Sequence, residues 1–194
     1  MAGNGTGTEP YVVEVRDLRA GYGSHSALED VSFTIEPGCL AGLVGPNGSG
    51  KSTLLKVMLG LHRPWRGEVL TYGRYGRPER GRVGYMPQSE LVDWAFPVTV
   101  AQVVLMGRYG RIGLVRQPGR RDRETAMAAL ERVRLADRAG RMIGELSGGE
   151  QRRALIARVL AQEADLLLLD EPLAGLDATA QHDLLRLFEE LRRE

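Results

Sequence analysis

The sequence has one cysteine, Cys39, two tryptophans, and only two lysines, Lys51 and Lys56, among its 26 basic residues. A lone cysteine closes no internal disulfide, so a small disulfide-stapled scaffold is excluded and a reducing, cytosolic setting is expected. Charge of either sign is not in excess: 26 basic against 25 acidic side chains give a formal net charge of +1. That balance provides neither a polycationic nucleic-acid surface nor an acidic tail, and no nucleic-acid partner is expected. Long apolar runs are missing too. The longest, such as Val103–Met106 and Leu166–Leu169, fall far short of the ~20 residues that span a bilayer. Residues 1–10 lack the basic start and apolar stretch of a signal peptide and read as a flexible N-terminus. The arginine excess fits GC-rich coding and carries little functional weight, so the two lysines are informative by their rarity.

What remains is ordinary globular material, 43% hydrophobic and 26% charged over 194 residues, the size of one domain. Apolar and polar residues alternate from Tyr11 to Leu18 and from Val31 to Ile35, the period of half-buried, antiparallel or edge strands. Leu40–Val44 and Leu166–Leu169 are continuous apolar runs, which predict strands buried on both faces of a parallel sheet. Helical spacing marks 122–135, 148–161 and 178–193; in the last, Leu184, Leu187, Phe188 and Leu191 fall at i, i+3, i+4, i+7. Segments 74–82 and 109–121, rich in Gly, Pro and Arg without a period, read as loops. The mixture predicts an α/β fold with helices covering the parallel sheet.

Gly45, Pro46, Asn47, Gly48, Ser49, Gly50, Lys51, Ser52 and Thr53 follow the pattern G, four residues, G, K, S/T, between an expected buried strand and an expected helix. Glycines there let successive backbone N–H groups turn inward around a polyphosphate, and the helix start adds its positive end. Lys51 would reach the β and γ phosphates of a nucleotide, and Ser52 would ligate Mg²⁺. The bland alternative is a glycine-rich turn that merely starts a helix. Asp170 and Glu171 follow four leucines, where a second buried strand should end. Asp170 is placed to hold Mg²⁺ through water, and Glu171 to orient and deprotonate a water attacking the γ-phosphate in line. The bland alternative for that pair is acids at a strand end facing solvent, which the neighbouring phosphate loop disfavours.

Leu146, Ser147, Gly148, Gly149, Glu150, Gln151, Arg152 and Arg153 narrow the choice. Ser147 and Glu150 form an S-x-x-E capping box, and the two glycines inside it permit close approach of an anion to the backbone. This segment resembles the signature of ATP-binding cassette (ABC) proteins, and the resemblance extends over nearly the whole chain in the family's order. It implies a phosphate-loop cassette with a RecA-like parallel core, an antiparallel β subdomain and a helical subdomain at about 98–161, all within one domain, 11–194. By the same resemblance Tyr22 matches the aromatic that stacks on adenine. Gln88, in the run Tyr85–Gln88, matches the glutamine that joins Mg²⁺ and water to the membrane-facing subdomain. Leu176 and Asp177 match the loop that contacts an opposing subunit. ATP and Mg²⁺ are the implied ligands. Implied partners are a second cassette, as a homodimer or pair closing on ATP, a membrane permease, and indirectly an extracellular substrate-binding protein. The expected place is the inner face of the cell membrane.

The family's switch histidine has no match: the chain offers only His25, His62 and His182. A missing C-terminal part carrying it is therefore expected. Chromosome-type cassettes place long coiled coils between phosphate loop and signature, and here only residues 52–146 separate Lys51 from Ser147. Translation-associated members carry two cassettes. A transporter ATPase subunit is the favoured reading, with an ABC ATPase of another substrate class, or a truncated ATP-binding module without turnover, as the alternatives. The segments 92–100 and 104–109 are similar to ATPases of manganese, zinc and iron-chelate importers; Trp94 and Phe96 there read equally as permease contacts or as core packing. No His and Cys cluster has ligand spacing, so Mg²⁺ is the only metal expected.

Overall fold

A computed structural model of the chain describes residues 11–79, 81–88, 93–113 and 116–193. The expected flexible segment 1–10 and Val92 of the importer-like stretch lie outside them. The backbone divides into two compact units, one up to Pro78 and one from Glu79 to Arg192.

In the first unit, β1 (Val13–Tyr22) and β2 (His25–Ile35) form an antiparallel hairpin. The other edge of β1 pairs with β3 (Arg66–Thr71), which pairs with the short β4 (Arg74–Tyr75), giving the order β2-β1-β3-β4. The alternation holds through Val13 and Val15 and then slips: Leu18 and Ala20 are the next buried residues. A register shift between Val15 and Leu18, with Asp17 at φ 45, absorbs the extra residue and returns Leu18 to the inner face. Helix α1 (Lys51–Met58) buries Leu54, Val57 and Met58, the i, i+3, i+4 stripe, beside β2 and β3.

Leu40–Val44 departs from expectation. The segment lies in no strand and is exposed, Val44 to 95%. A strand closed on both faces requires hydrogen-bonded neighbours, and among the described residues no strand pairs with this run. Apolar composition alone does not make a ladder.

The second unit is built on a parallel pair, β5 (Val83–Met86) and β6 (Leu166–Leu169). Parallel neighbours need a long crossover, and residues 87–165 supply it with helices. These are α2 (Val100–Leu105), α3 (Tyr109–Ile112), α4 (Arg120–Arg132) and α5 (Gly148–Leu160); α6 (Ala178–Arg192) follows β6. The three periodic segments of the sequence thus become α4, α5 and α6. One core gathers Met86, Val100, Val104, Leu130, Ile143, Leu155, Ile156, Leu184 and Phe188. Gly84 lets α5 approach the sheet, because a Cβ there would lie 2.7 Å from a Val159 methyl. Of the four leucines of β6 only Leu168 is fully buried, so the strand is parallel as expected but not closed on both faces along its length.

The two expected loops also contain structure: β4 occupies part of 74–82, while α3 and the start of α4 lie in 109–121. The cause of the second is tertiary. Arg108, 5% exposed, donates from Nε to Asp122 Oδ1 at 3.1 Å and from Nη1 to Glu163 Oε2 and Ala161 O at 2.7 Å each. Arg111 adds bonds to the Gln162 and Glu163 carbonyls at 2.8 and 2.6 Å. These partners draw a segment with no apolar period into helix. Trp94 is partly buried against the core, whereas Phe96 is 57% exposed, so the two aromatics divide between the packing and surface readings. Among the described residues no helix is long and apolar enough to cross a membrane.

Candidate nucleotide and catalytic site

The phosphate-loop residues occupy the first unit. Gly45, Pro46, Asn47, Gly48 and Ser49 are exposed, and the loop turns through left-handed glycines at Gly48 (φ 81) and Gly50 (φ 89). A side chain at Gly50 would collide with the Ala27 carbonyl oxygen and Leu28, so this turn requires glycine. Lys51 Nζ donates to the Gly45 and Pro46 carbonyls, both at 2.9 Å, which holds the ammonium over the loop. Helix α1 begins without a side-chain cap and without an acid in its first turn. Its first amides and dipole are therefore not committed to an internal carboxylate, the arrangement that suits an anionic phosphate. Ser52 is half-buried and Thr53 buried in that turn. Tyr22 closes the β1–β2 hairpin, half exposed, its ring 4.6 Å from that of His62 and tilted by 37°. His62 Nε2 lies 2.9 Å from the Gly21 carbonyl; a carbonyl only accepts, so Nε2 carries the proton.

The acids and Gln88 occupy the second unit, and strand register brings them together. Met86 is paired with Leu169, so both strands of the parallel pair end level and the residues after them leave from the same carboxyl edge, where open α/β sheets place ligands. Gln88 and Glu171 each lie two positions beyond that last pair. Gln88 Nε2 donates to Glu171 Oε2 at 3.0 Å, across 83 residues of sequence. Glu171 has φ 49, a left-handed backbone that a non-glycine residue adopts at a cost of roughly 1–3 kcal/mol. Asp170 is 4% exposed, its amide bonded to Met86 O at 3.0 Å. Burial raises the Tyr85 hydroxyl above its usual range, and the charge and hydrogen bond of Asp170 raise it further.

The signature segment opens α5 as a complete capping box. Ser147 N donates to Glu150 Oε2 at 2.8 Å, Ser147 Oγ to the same oxygen at 2.9 Å, and Glu150 N to Ser147 Oγ at 3.4 Å. These bonds hold the Glu150 carboxyl below its ordinary value. Gly148 is exposed, and a Cβ on it would meet nothing within 4 Å, while one on Gly149 would meet Ala180 at 3.6 Å. Asp177 caps α6, accepting from Ala180 N at 2.8 Å. Three residues of this neighbourhood carry contacts that motif reading did not single out: Tyr85 on Asp170, Arg152 on the Ala174 carbonyl, and Gln181 on the Leu176 carbonyl. Arg152 is 3% exposed; burial lowers its pKa while the Glu171 carboxylate opposes that shift. It lies within the signature run, but nothing local shows that it is buried or that its partner is the Ala174 carbonyl.

Among the described residues no group of three His, Cys, Asp or Glu side chains forms a metal site. Hard-oxygen donors of the kind Mg²⁺ takes are present in each unit, the Ser52 hydroxyl in the first and the Asp170 carboxylate in the second. A glycine-built loop with its lysine at a helix start, and a parallel strand tipped with two acids, define the class of phosphate-loop nucleotide-binding proteins. The chain belongs to the ABC transporter family, whose sequence model matches residues 28–174. This is a family of ATP-binding cassettes that generally hydrolyse ATP.

The chain is 45% identical over 184 residues to the manganese transport system ATP-binding protein MntB of Bacillus subtilis, covering 95% of this chain and 74% of that protein. It is 45% identical over 182 residues to the zinc transport system ATP-binding protein TroB of Treponema pallidum, covering 94% and 68%. Among solved structures, a nucleotide-free ATP-binding cassette from an ABC transporter superimposes with a TM-score of 0.82 at 25% identity, covering 94% of this chain and 78% of that one. The mixed α/β fold read from the sequence, with its antiparallel sheet, parallel strands and helices, is that of these cassettes.

Proposed function

We propose that the chain is one cassette, 11–194 with its helical part at about 98–161, which binds MgATP and hydrolyses it to drive import through a membrane permease. The observation that carries the catalytic part is the Gln88–Glu171 hydrogen bond at the carboxyl edge of the parallel pair. Lys51 and the loop amides bind the β and γ phosphates, and Tyr22 stacks on adenine. Ser52, Asp170 and Gln88 serve Mg²⁺, which would neutralise phosphate charge. Gln88 orients the attacking water, and the Glu171 carboxylate takes its proton.

Ser147, Gly148, Gly149 and Asp177 act on a second cassette's nucleotide in an ATP-closed homodimer or pair, with Glu150 holding the helix start that presents them. Gly148, open to solvent on the exposed face of α5, supports that assignment. A permease then anchors the subunit at the inner membrane face, and an extracellular binding protein delivers cargo to the permease. The manganese and zinc transport relatives at 45% identity support a metal ion, or a metal chelate, as that cargo.

The test is MgATP binding and phosphate release by the chain, then by the chain with its permease in liposomes supplied with Mn²⁺ or Zn²⁺. Binding, turnover and metal-stimulated turnover are expected. Absence of MgATP binding overturns the reading, and stimulation by neither metal overturns the cargo. Ser147→Arg should bind MgATP as the parent does yet fail to dimerise with it; dimerisation at the parent's level removes Ser147 from the interface.

A further inference from the structure

The loop from Glu171 to Asp177 is held by side chains from two helices. Gln181 of α6 donates to Leu176 O at 2.9 Å and reaches Leu173 O at 3.5 Å. Arg152 of α5 donates from Nη2 to Ala174 O at 2.5 Å. Its side chain is 3% exposed, and Nη1 is buried with no hydrogen-bond partner among the described residues. Burying a guanidinium is costly, and leaving one of its nitrogens unmatched costs more, so a side chain serving only to pack would be better as leucine or methionine. What the charge and the hydrogen bond gain is a hold on one loop: Ala174 O on one side, and the attraction of the Glu171 carboxylate on the other. The loop needs such a hold. Ala174 and Gly175 are exposed, and Glu171 stands in a left-handed conformation that its own residue type does not favour.

We propose that Arg152 is a positioning residue: by clamping the Ala174 carbonyl to α5 it fixes the 171–177 loop and, through it, the Glu171 carboxylate to which Gln88 donates. The role rests on the reading of Glu171 as the base. Arg152 bonds to the loop backbone at Ala174, so its effect passes through the loop and should alter turnover while leaving MgATP affinity alone.

The test compares the full chain with Arg152→Met, which keeps length and loses every donor, and with Arg152→Lys, which keeps a charge and a donor. Three quantities are read: amide hydrogen exchange across 171–177, KM and Kd for MgATP, and kcat. For Arg152→Met the loop amides should exchange about 10-fold faster and kcat fall about 10-fold, with KM and Kd within about twofold of the parent. Arg152→Lys should recover most of both losses. Unchanged exchange and kcat in Arg152→Met overturn the proposal, as do equal losses in Arg152→Lys, which would make the effect one of packing. Should Arg152→Met not fold, Arg152→Leu, which also lacks any donor, takes its place in the same comparison. A parent that binds or turns over no MgATP refutes the function proposed above, and the exchange comparison then decides the clamp by itself.

Discussion

The two segments assigned to nucleotide chemistry are held in contrasting ways. In the first unit the stretch from Gly38 through Ser49 is exposed, and the loop's main internal ties are Lys51 on the Gly45 and Pro46 carbonyls. In the second unit Glu171 and the loop after it are fixed by three side chains, Gln88 from the loop after β5, Arg152 from α5 and Gln181 from α6. A loop that must close its amides around a polyphosphate profits from being open, whereas a base must be placed in advance to act on water. Binding and turnover should therefore fail separately when each segment is altered.

The largest expected effect is on turnover. Glu171→Gln should slow steady-state phosphate release by about 10³-fold, within the range of a lost general base, and a rate near the parent's would remove Glu171 from that role. Next is stability of the second unit. Arg108→Met strips partners from Asp122, Glu163 and the Ala161 carbonyl and should cost about 3 kcal/mol, read by denaturant unfolding, with the phosphate loop unaffected. Comparable in size but confined to the first unit, Lys51→Ala should weaken MgATP binding about 100-fold by calorimetry, the loss of charge-assisted bonds to phosphate. Smallest is a pH effect. Because Glu150 is held below its ordinary value of 4.5, its contribution is fully present above that pH and is lost as pH falls through the lowered value. Glu150→Gln should flatten the acid limb of the stability profile, and an unchanged limb would show that the capping box does not govern it.

How much of this was legible follows the same contrast. The phosphate loop, the Asp170–Glu171 pair and the Ser147–Glu150 box are local patterns whose chemistry is set by spacing, and the capping box forms as its spacing requires. Gln88 beside Glu171 depends on the register Met86 with Leu169, which no local pattern displays. Leu40–Val44 reads as a strand because apolar runs signal burial, yet a strand exists only with a neighbour to share its hydrogen bonds. Arg152 and Arg108 were hidden by the composition: in a chain whose basic residues are nearly all arginine, burial of a particular one is decided by long-range partners such as Ala174, Asp122 and Glu163. Helix α2 is Val-rich, a strand-like composition that the Thr99–Gln102 capping box and burial of Val100, Val103 and Val104 override.

The measurement that tests the separation most directly is calorimetric titration of MgATP into Glu171→Gln. The account predicts an affinity within about twofold of the parent's, since the phosphate loop and Lys51 are untouched. Loss of binding in that variant would contradict it, because Glu171 would then belong to the binding apparatus and not to turnover alone.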